Sequence, residues 1–269
     1  MKSGSNLKRR DFWAVKIINM SKPSLLFQPG VFHEDTETLD ILNKYFDVTL
    51  INKEEITSYK GDMWGKAPFN FRGSLSLAKR LGRECKWANA LNWAPKFRKS
   101  LLSSPYAFLD AAALLEEVTP DVEFFARPVS GDKIFSGNVY NKKSFSEELS
   151  FLYQNKNVFP EEVICMFSPP AEVRKEYRLI FVNNRYCSSS QYMDSGEIAI
   201  IAGEAPEDAI EFGKKIAAAE FFCNVFDFII DVAETDEGFK LVEVNAFETS
   251  SFYSADLDKI YSEWSASLL

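Results

Sequence analysis

Histidine and cysteine are scarce in this sequence, whose 269 residues include one histidine and four cysteines. The cysteines lie far apart and form no Cys-x-x-Cys pair, a pattern more typical of reduced, partly buried thiols than of disulfides or zinc ligands. The single histidine, His33, follows a Pro-Gly turn near a predicted helix start, which favours a surface or capping role. Catalysis by a Ser–His or Cys–His pair is therefore disfavoured. The cysteines are Cys85, Cys165, Cys187 and Cys223.

Long apolar runs are also missing. No stretch approaches the roughly 20 apolar residues that a membrane-spanning helix needs. The basic start of the chain lacks the apolar core and small-residue cleavage site of a secretory signal, because Lys16 interrupts its short apolar run. We therefore expect a cytoplasmic protein without a membrane partner. Residues 1–21 are predicted to form an N-terminal tail, and Met20 offers an alternative start within it.

Positive charge is in deficit overall but not everywhere. The chain has 31 Lys and Arg against 39 Asp and Glu, and this formal charge of −8 argues against general nucleic-acid binding. From Lys66 to Lys99, however, nine basic residues accompany only Glu84. A solvated helix face is the simpler interpretation, and a surface for a polyanionic acceptor is the alternative. The nine are Lys66, Arg72, Lys79, Arg80, Arg83, Lys86, Lys96, Arg98 and Lys99.

The length predicts about two domains or lobes, since a domain typically spans about 150 residues. The hydrophobic pattern predicts that both helices and strands are present. A strand over 24–28, a helix over 36–46 and a strand over 47–51 indicate a small α/β lobe. A helix is predicted over 108–118, and a capping box formed by Ser144 and Glu147 predicts another helix start. Antiparallel hairpins are predicted around Asn183-Asn184 and around Asp236-Glu237-Gly238.

The second of these hairpins carries oxygen-bearing side chains on a largely apolar strand. A three-residue loop ending in Gly238 places Asp231 opposite Glu243, and Asn245 shares the face of Glu243 because residues two apart point the same way. Two carboxylates and an amide suit Mg²⁺, whose coordination is completed by waters and phosphates. A solvated acidic pair is the alternative. Asp227 has the same parity and would replace a ligand if the register slipped.

A second group of candidates is cationic. Arg127 lies on the apolar strand 123–129, Lys133 lies in the turn that follows, and Arg178 enters a later strand two residues after Glu176. Guanidinium groups make forked hydrogen bonds to phosphate, and ammonium groups act as point charges. Together they suit phosphoryl transfer, although each residue by itself is more often a surface or salt-bridging group.

These segments, taken together, resemble the ATP-grasp superfamily, in particular the clade in which an arginine replaces the lysine on the N-lobe strand. The resemblance covers roughly residues 120–255, and the Glu-x-Asn ending after an Asp-bearing strand is its most specific part. The matching stretches are Phe125 to Gly137, Glu176-Tyr177-Arg178, Ser190-Gln191-Tyr192, Asp231-Val232-Ala233 and Leu241 to Phe247.

The resemblance implies an α+β ATP-grasp fold, in which two antiparallel-sheet lobes enclose ATP after a small α/β pre-grasp lobe. The implied boundaries are 22–105 for the pre-grasp lobe, 106–167 for the N-lobe and 168–269 for the C-lobe.

The resemblance also implies roles for individual residues. Asp231, Glu243 and Asn245 would hold Mg²⁺, and Arg127 and Lys133 would bind the ATP phosphates. Arg178 would contact the γ-phosphate or an acyl phosphate, and Glu176 would orient Arg178 or touch ribose. Ser190 and Tyr192 would border the acceptor site. Backbone groups of an inter-lobe hinge would meet adenine, and the hinge residues are Val163, Ile164, Cys165 and Met166.

The implied activity is that of an ATP- and Mg²⁺-dependent carboxylate–amine (or carboxylate–thiol) ligase that works through an acyl phosphate on small-molecule or peptide substrates. Arg127, Lys133 and Arg178 would be its catalytic cations. A non-catalytic nucleotide-binding module and a kinase are the alternatives. The upstream lysine of many family members has no clear match, and Lys96 and Lys99 are the candidates for it.

Overall fold

The computed structural model describes residues 22–58, 70–130 and 134–269. Within these ranges the strands form three sheets of three, four and five strands. Each sheet occupies its own stretch of the chain, so the molecule is built from consecutive lobes rather than from interleaved segments.

The first lobe is a small parallel sheet in the order β2-β1-β3. It contains the predicted strand–helix–strand opening, and Leu25, Leu26 and Phe27 of β1 are fully buried because both faces of a parallel strand are covered. Its elements are β1 (Ser24–Phe27), α1 (Asp35–Tyr45), β2 (Asp47–Leu50), β3 (Asn70–Arg72) and α2 (Leu75–Arg80). The next helix, α3 (Ala90–Trp93), packs instead in the core of the five-stranded sheet.

The second lobe is an antiparallel four-stranded sheet in the order β4-β7-β5-β6, covered by two helices. Its core is aromatic, with Phe124, Phe135, Tyr140 and Phe145 packed on one another. The elements are β4 (Ala107–Asp110), α4 (Ala111–Glu117), β5 (Phe124–Pro128), β6 (Asn138–Tyr140), α5 (Lys142–Lys156) and β7 (Ile164–Ser168).

The third lobe is an antiparallel five-stranded sheet in the order β10-β9-β8-β11-β12. One face packs on α6 through Leu179, Phe181 and Phe228, and the other packs on α7 and the first lobe through Ile180 and Ile229. The elements are β8 (Lys175–Val182), β9 (Arg185–Asp194), β10 (Glu197–Ile201), α6 (Glu207–Ala217), β11 (Phe228–Thr235), β12 (Gly238–Ala246) and α7 (Leu257–Ser267).

Two local predictions were wrong. The helix predicted over 108–118 begins as β4, because 107–110 pair with β7 and the Asp110 side chain then caps the helix by accepting from Ala113 N at 2.7 Å. The predicted capping box of α5 is formed instead by Asn141 and Ser144, whose side chains each accept from the other's backbone N–H. Both errors arose where a polar cap, rather than the apolar pattern, sets the helix start.

Candidate active site

The central prediction of the sequence, the juxtaposition of Asp231 and Glu243, is confirmed. The two residues are paired in the β11–β12 ladder, and Arg178 of β8 pairs with Asp231 from the other side. The reason differs from the one expected, because Thr235 pairs directly with Gly238 across a two-residue turn. An irregularity after Asp231 adds the extra residue in β12 and restores the predicted register.

Arg178 and Asp231 form a buried two-point ion pair. The guanidinium donates from Nε to Asp231 Oδ1 at 2.8 Å and from Nη2 to Oδ2 at 2.7 Å. Its Nη1 donates to the backbone oxygen of Ser251 at 2.9 Å, and its Cζ lies 4.9 Å from the ring centroid of Tyr253 and 5.5 Å from that of Tyr192. Fork geometry and cation–π contacts hold the guanidinium in one orientation.

Glu243 connects the two antiparallel lobes. Its Oε2 pairs with Arg127 of β5, so a cation of the second lobe meets a carboxylate of the third. Its Oε1 accepts from Asn245 Nδ2 at 2.8 Å and lies 3.8 Å from Arg178 Nη2. Asn245 Nδ2 also donates to Asp231 Oδ2 at 2.9 Å. We refer to Arg127, Arg178, Asp231, Glu243 and Asn245 together as the charge cluster.

Burial shifts the titration of the acids in and beside the charge cluster. Desolvation raises the pKa of Asp231 to about 6, and the charge and hydrogen bonds of Arg178 oppose the shift without cancelling it. Desolvation raises the pKa of Glu176 to about 7, against a hydrogen bond donated by Tyr192. Burial by itself would lower the pKa of Arg178, but Asp231 outweighs it and the pKa is raised. The guanidinium is therefore permanently charged.

The donor set of the cluster fits a magnesium ion. Two carboxylates supply the anionic oxygens that Mg²⁺ prefers, and a half-turn of the Asn245 amide would exchange its nitrogen for its oxygen. In the described part of the chain, no group of three or more His, Cys, Asp or Glu is arranged to hold a metal ion. The charge cluster is not such a group, because it has only two carboxylates and its third donor is the Asn245 amide. Each of the two carboxylates is paired with an arginine.

Three of the predicted hinge residues open strand β7, and Val163 immediately precedes it. Cys165 belongs to the core of the second lobe, whereas Met166 packs in the core that the third lobe shares. The backbone oxygen of Ile164 accepts from Val129 N, and that of Val163 accepts from Ala111 N. Contact between these residues and adenine stays a prediction.

Three other candidates, Lys96, Lys99 and Asp227, are among the described residues. Lys133 lies outside the described residues. Lys96 and Lys99 are exposed and precede Ser100, whose backbone oxygen accepts from Leu241 N of β12 at 2.7 Å. Asp227, the alternative ligand, precedes β11 and accepts from Asn183 N and Trp264 Nε1, so it has a structural role.

The sequence did not point to the loop 250–254, which completes the site. Tyr253 stacks on Tyr192 with ring centroids 5.3 Å apart, although its backbone has a left-handed φ of 55°. Its neighbours hold it there: Phe252 N donates to Glu34 Oε1 at 2.8 Å, and Ser254 Oγ bonds to buried Ser190 Oγ at 2.9 Å. Outside a tight turn, such a backbone persists only when its surroundings fix it.

His33 is exposed, as expected, yet it lies near the same loop. Its backbone N–H donates to Ser251 Oγ at 3.1 Å, and its ring centroid is 6.1 Å from that of Tyr253. The loop between β1 and α1 thus reaches the edge of the site, a long-range contact that no local sequence pattern indicates.

The basic stretch divides between surface and core. Seven of its residues are exposed, but Arg72 is fully buried on β3, so it belongs neither to a solvated helix face nor to an anion-binding surface. Lys66 lies outside the described residues. The exposed residues are Lys79, Arg80, Arg83, Lys86, Lys96, Arg98 and Lys99. The four cysteines are free thiols, and none of the helices in the described ranges has the length and apolar character to cross a bilayer.

Comparison with known proteins identifies a matching family and solved structures of similar fold. The model of the ATP-grasp domain, R2K clade family 3, matches residues 63–263. No curated protein matches the sequence. Among solved structures, the D-cycloserine synthetase DcsG is 14% identical, with a TM-score of 0.63 over 91% of this chain and 99% of that one. The D-alanine–D-alanine ligase of Bacillus anthracis is 11% identical, with a TM-score of 0.55 over 92% and 96%. The ATP-grasp ligase PsnB, complexed with a minimal precursor, is 10% identical, with a TM-score of 0.54 over 92% and 100%.

Proposed function

Because the chain belongs to the ATP-grasp domain family, R2K clade family 3, we propose that it is an ATP- and Mg²⁺-dependent carboxylate–amine or carboxylate–thiol ligase. One observation carries the proposal: two arginines, two carboxylates and an amide meet where the second and third lobes face each other. Similar structures include a D-cycloserine synthetase and a D-alanine–D-alanine ligase, so small amino-acid-like or peptide substrates are the class to test.

Charge neutralisation is the task that the cluster can perform. When an oxygen of the substrate carboxylate attacks the γ-phosphorus, the bond to the β-phosphate oxygen breaks and ADP leaves. Charge develops on the transferred group, and fixed cations nearby stabilise it. Arg178 has two N–H groups beyond its contacts to Asp231 and Ser251 among the described residues, so it can bind Asp231 and a phosphate oxygen together. Arg127 and Lys133 would meet the same phosphates from the second lobe.

The remaining groups have supporting roles. Glu243, Asn245 and Asp231 would hold Mg²⁺, which would supply positive charge against the phosphates. The acceptor amine or thiol would attack the acyl carbon, release inorganic phosphate and lose a proton. Tyr192 and Ser190 would border the acceptor site, beside Tyr253 and the acid Glu176, whose contacts with them support this arrangement. No nucleophilic side chain is required.

The test is the transfer of an oxygen atom. The protein is incubated with ATP, Mg²⁺ and carboxylates labelled with heavy oxygen, together with pooled amines, amino acids and thiols. A ligase that forms an acyl phosphate moves one labelled oxygen from the carboxylate into inorganic phosphate. Glu243→Gln abolishes the transfer, whereas Glu237→Gln, an exposed change in the same hairpin, leaves it intact.

The alternatives give different results in the same experiment. A kinase yields a phosphorylated product and little free phosphate. A nucleotide-binding module binds ATP without producing ADP in any pool. Either outcome contradicts the ligase proposal.

A further inference from the structure

The ion pair between Arg127 and Glu243 spans the two antiparallel lobes. Arg127 belongs to the four-stranded sheet and Glu243 to the five-stranded sheet, 116 residues apart in sequence. Their side chains are 18% and 14% exposed, so solvent still reaches the pair. A relative movement of the two lobes would separate these groups without breaking the hydrogen bonds within either sheet.

The neighbouring pair, Arg178–Asp231, is fixed by comparison. Both residues lie in the same sheet, and their side chains are 3% and 0% exposed. Removal of Arg178 from the fork would also break its bond to Ser251 and leave a buried carboxylate unpaired. Breaking a buried pair is strongly unfavourable, so Arg178 stays with Asp231 while Arg127 can leave Glu243.

The charges of the cluster balance without any added cation. Two guanidinium groups face two carboxylates, and both oxygens of Glu243 have partners: Arg127 at Oε2, and Asn245 at Oε1. A divalent cation approaching Glu243 competes with Arg127 for the same oxygen and meets the repulsion of two nearby positive charges.

We propose that Arg127 blocks the divalent cation from Glu243 until a polyphosphate draws the guanidinium away, so that metal and nucleotide bind together and the metal does not bind by itself. The exchange keeps every charge paired: Arg127 moves from carboxylate to phosphate, with which it also makes forked bonds, and Glu243 receives the cation. The inference rests on the proposed nucleotide-binding function and adds an order of binding to it. It assigns Arg127 a gating role in addition to phosphate binding.

The test measures binding of Mn²⁺, followed by its magnetic resonance signal, with and without a non-hydrolysable ATP analogue. Wild type is expected to bind Mn²⁺ at least about tenfold more weakly without the analogue than with it. Arg127→Gln is expected to bind Mn²⁺ without the analogue at least about tenfold more tightly than wild type does, and to bind the analogue more weakly. A cation that bound only phosphate, at a distance from Glu243, would weaken metal binding by long-range repulsion alone, so its loss would give a smaller gain that added salt screens.

Three further variants complete the design. Arg127→Lys keeps the positive charge and is expected to exclude Mn²⁺ as wild type does. Arg174→Gln removes an arginine from an exposed pair with Asp236 and is the matched control. In the double variant Arg127→Gln with Glu243→Gln, the gain in Mn²⁺ affinity is expected to disappear, because Glu243 supplies the vacated oxygen.

The outcomes are separable. If wild type binds Mn²⁺ by itself as tightly as it does with the analogue, the gating inference is wrong and the proposed function is untouched. If Arg127→Gln folds, as judged by circular dichroism, and gains no affinity for Mn²⁺, the inference is equally overturned. If wild type binds neither Mn²⁺ with the analogue nor the analogue by itself, the proposed function fails.

Discussion

Arg72 and Arg178 are two buried arginines with nearly the same surroundings and different consequences. Each side chain is almost inaccessible, pairs with one carboxylate and lies against aromatic rings. Each also donates to the backbone of the segment that follows β12: Arg72 to Phe247 and Ser250, Arg178 to Ser251. One is located in the first lobe and the other in the third, and together they fix the loop that carries Tyr253.

The two arginines differ in how many of their N–H donors are used by hydrogen bonds to the described residues. Arg72 donates from all three nitrogens to four acceptors, and Phe32 and Phe252 lie 4.1 and 3.6 Å from its Cζ, so its bonding capacity is nearly exhausted inside the protein. Arg178 makes three bonds and lies 3.8 Å from Glu243 of the charge cluster. A saturated buried arginine is structural, whereas one with remaining donors beside other charges is suited to a ligand.

The largest effect is expected for Arg72→Met. This change leaves Glu34 buried without its partner and releases the loop after β12, so we expect the free energy of unfolding to fall by about 3–5 kcal/mol. Urea denaturation measures it. The double variant Arg72→Met with Glu34→Gln should recover part of the loss, and an unchanged stability in the single variant would contradict the structural role of Arg72.

Arg178→Met is expected to lower the free energy of unfolding by less, about 2–3 kcal/mol near neutral pH. The loss is smaller because Asp231 can accept a proton once its partner is gone. The folded-state pKa of Asp231 is already raised to about 6 with Arg178 present, and removal of the arginine raises it further. The deficit relative to wild type should therefore grow as the pH rises above about 6. Denaturation curves at several pH values test this. A deficit independent of pH would mean that Asp231 does not titrate in response.

Glu176 gives a smaller, pH-dependent effect. Its folded-state pKa of about 7 exceeds the ordinary value of 4.5, so the folded state binds the proton more tightly than the unfolded state does. Stability from this group is therefore lost as the pH rises from about 4.5 to about 7. Glu176→Gln should be about 1–2 kcal/mol more stable than wild type near pH 8 and close to it near pH 5. The exposed change Glu172→Gln is the control, and a pH-independent difference would contradict the assignment.

The smallest effect is expected at the exposed pair between Lys44 and Asp258, which joins α1 to α7 at 2.8 Å. Both side chains are more than half exposed, so Lys44→Ala should lower the free energy of unfolding only slightly, and added salt should reduce the difference further. Thermal denaturation at low and high salt measures it. A loss as large as that of Arg72→Met would remove the contrast between buried and exposed pairs.

The prediction from sequence succeeded where the residues that carry the chemistry lie close together in the chain, on strands of one hairpin. Asp231, Glu243 and Asn245 are joined by one hairpin, so the alternation of side chains sufficed to place them on one face, even though the turn and the irregularity in β12 differ from those expected. Arg72 was misplaced because its environment comes from distant segments: Glu34 after β1, Phe247 and Ser250 after β12, and Tyr261 in α7. Nothing near Arg72 in the sequence distinguishes it from its solvated basic neighbours.

Period-two alternation and apolar runs by themselves indicated strands, helices and the acidic hairpin, because these features depend on residues a few positions apart. The ATP-grasp family and its α+β fold followed from the resemblance of the motifs and their order, which the family match supports. Only the tertiary structure decided that Arg127 of one lobe meets Glu243 of another, that Arg178 is held in a fork, and that Tyr253 closes the site in a left-handed conformation. These contacts join segments tens to hundreds of residues apart. Their existence depends on how the lobes pack, which local periodicity does not encode.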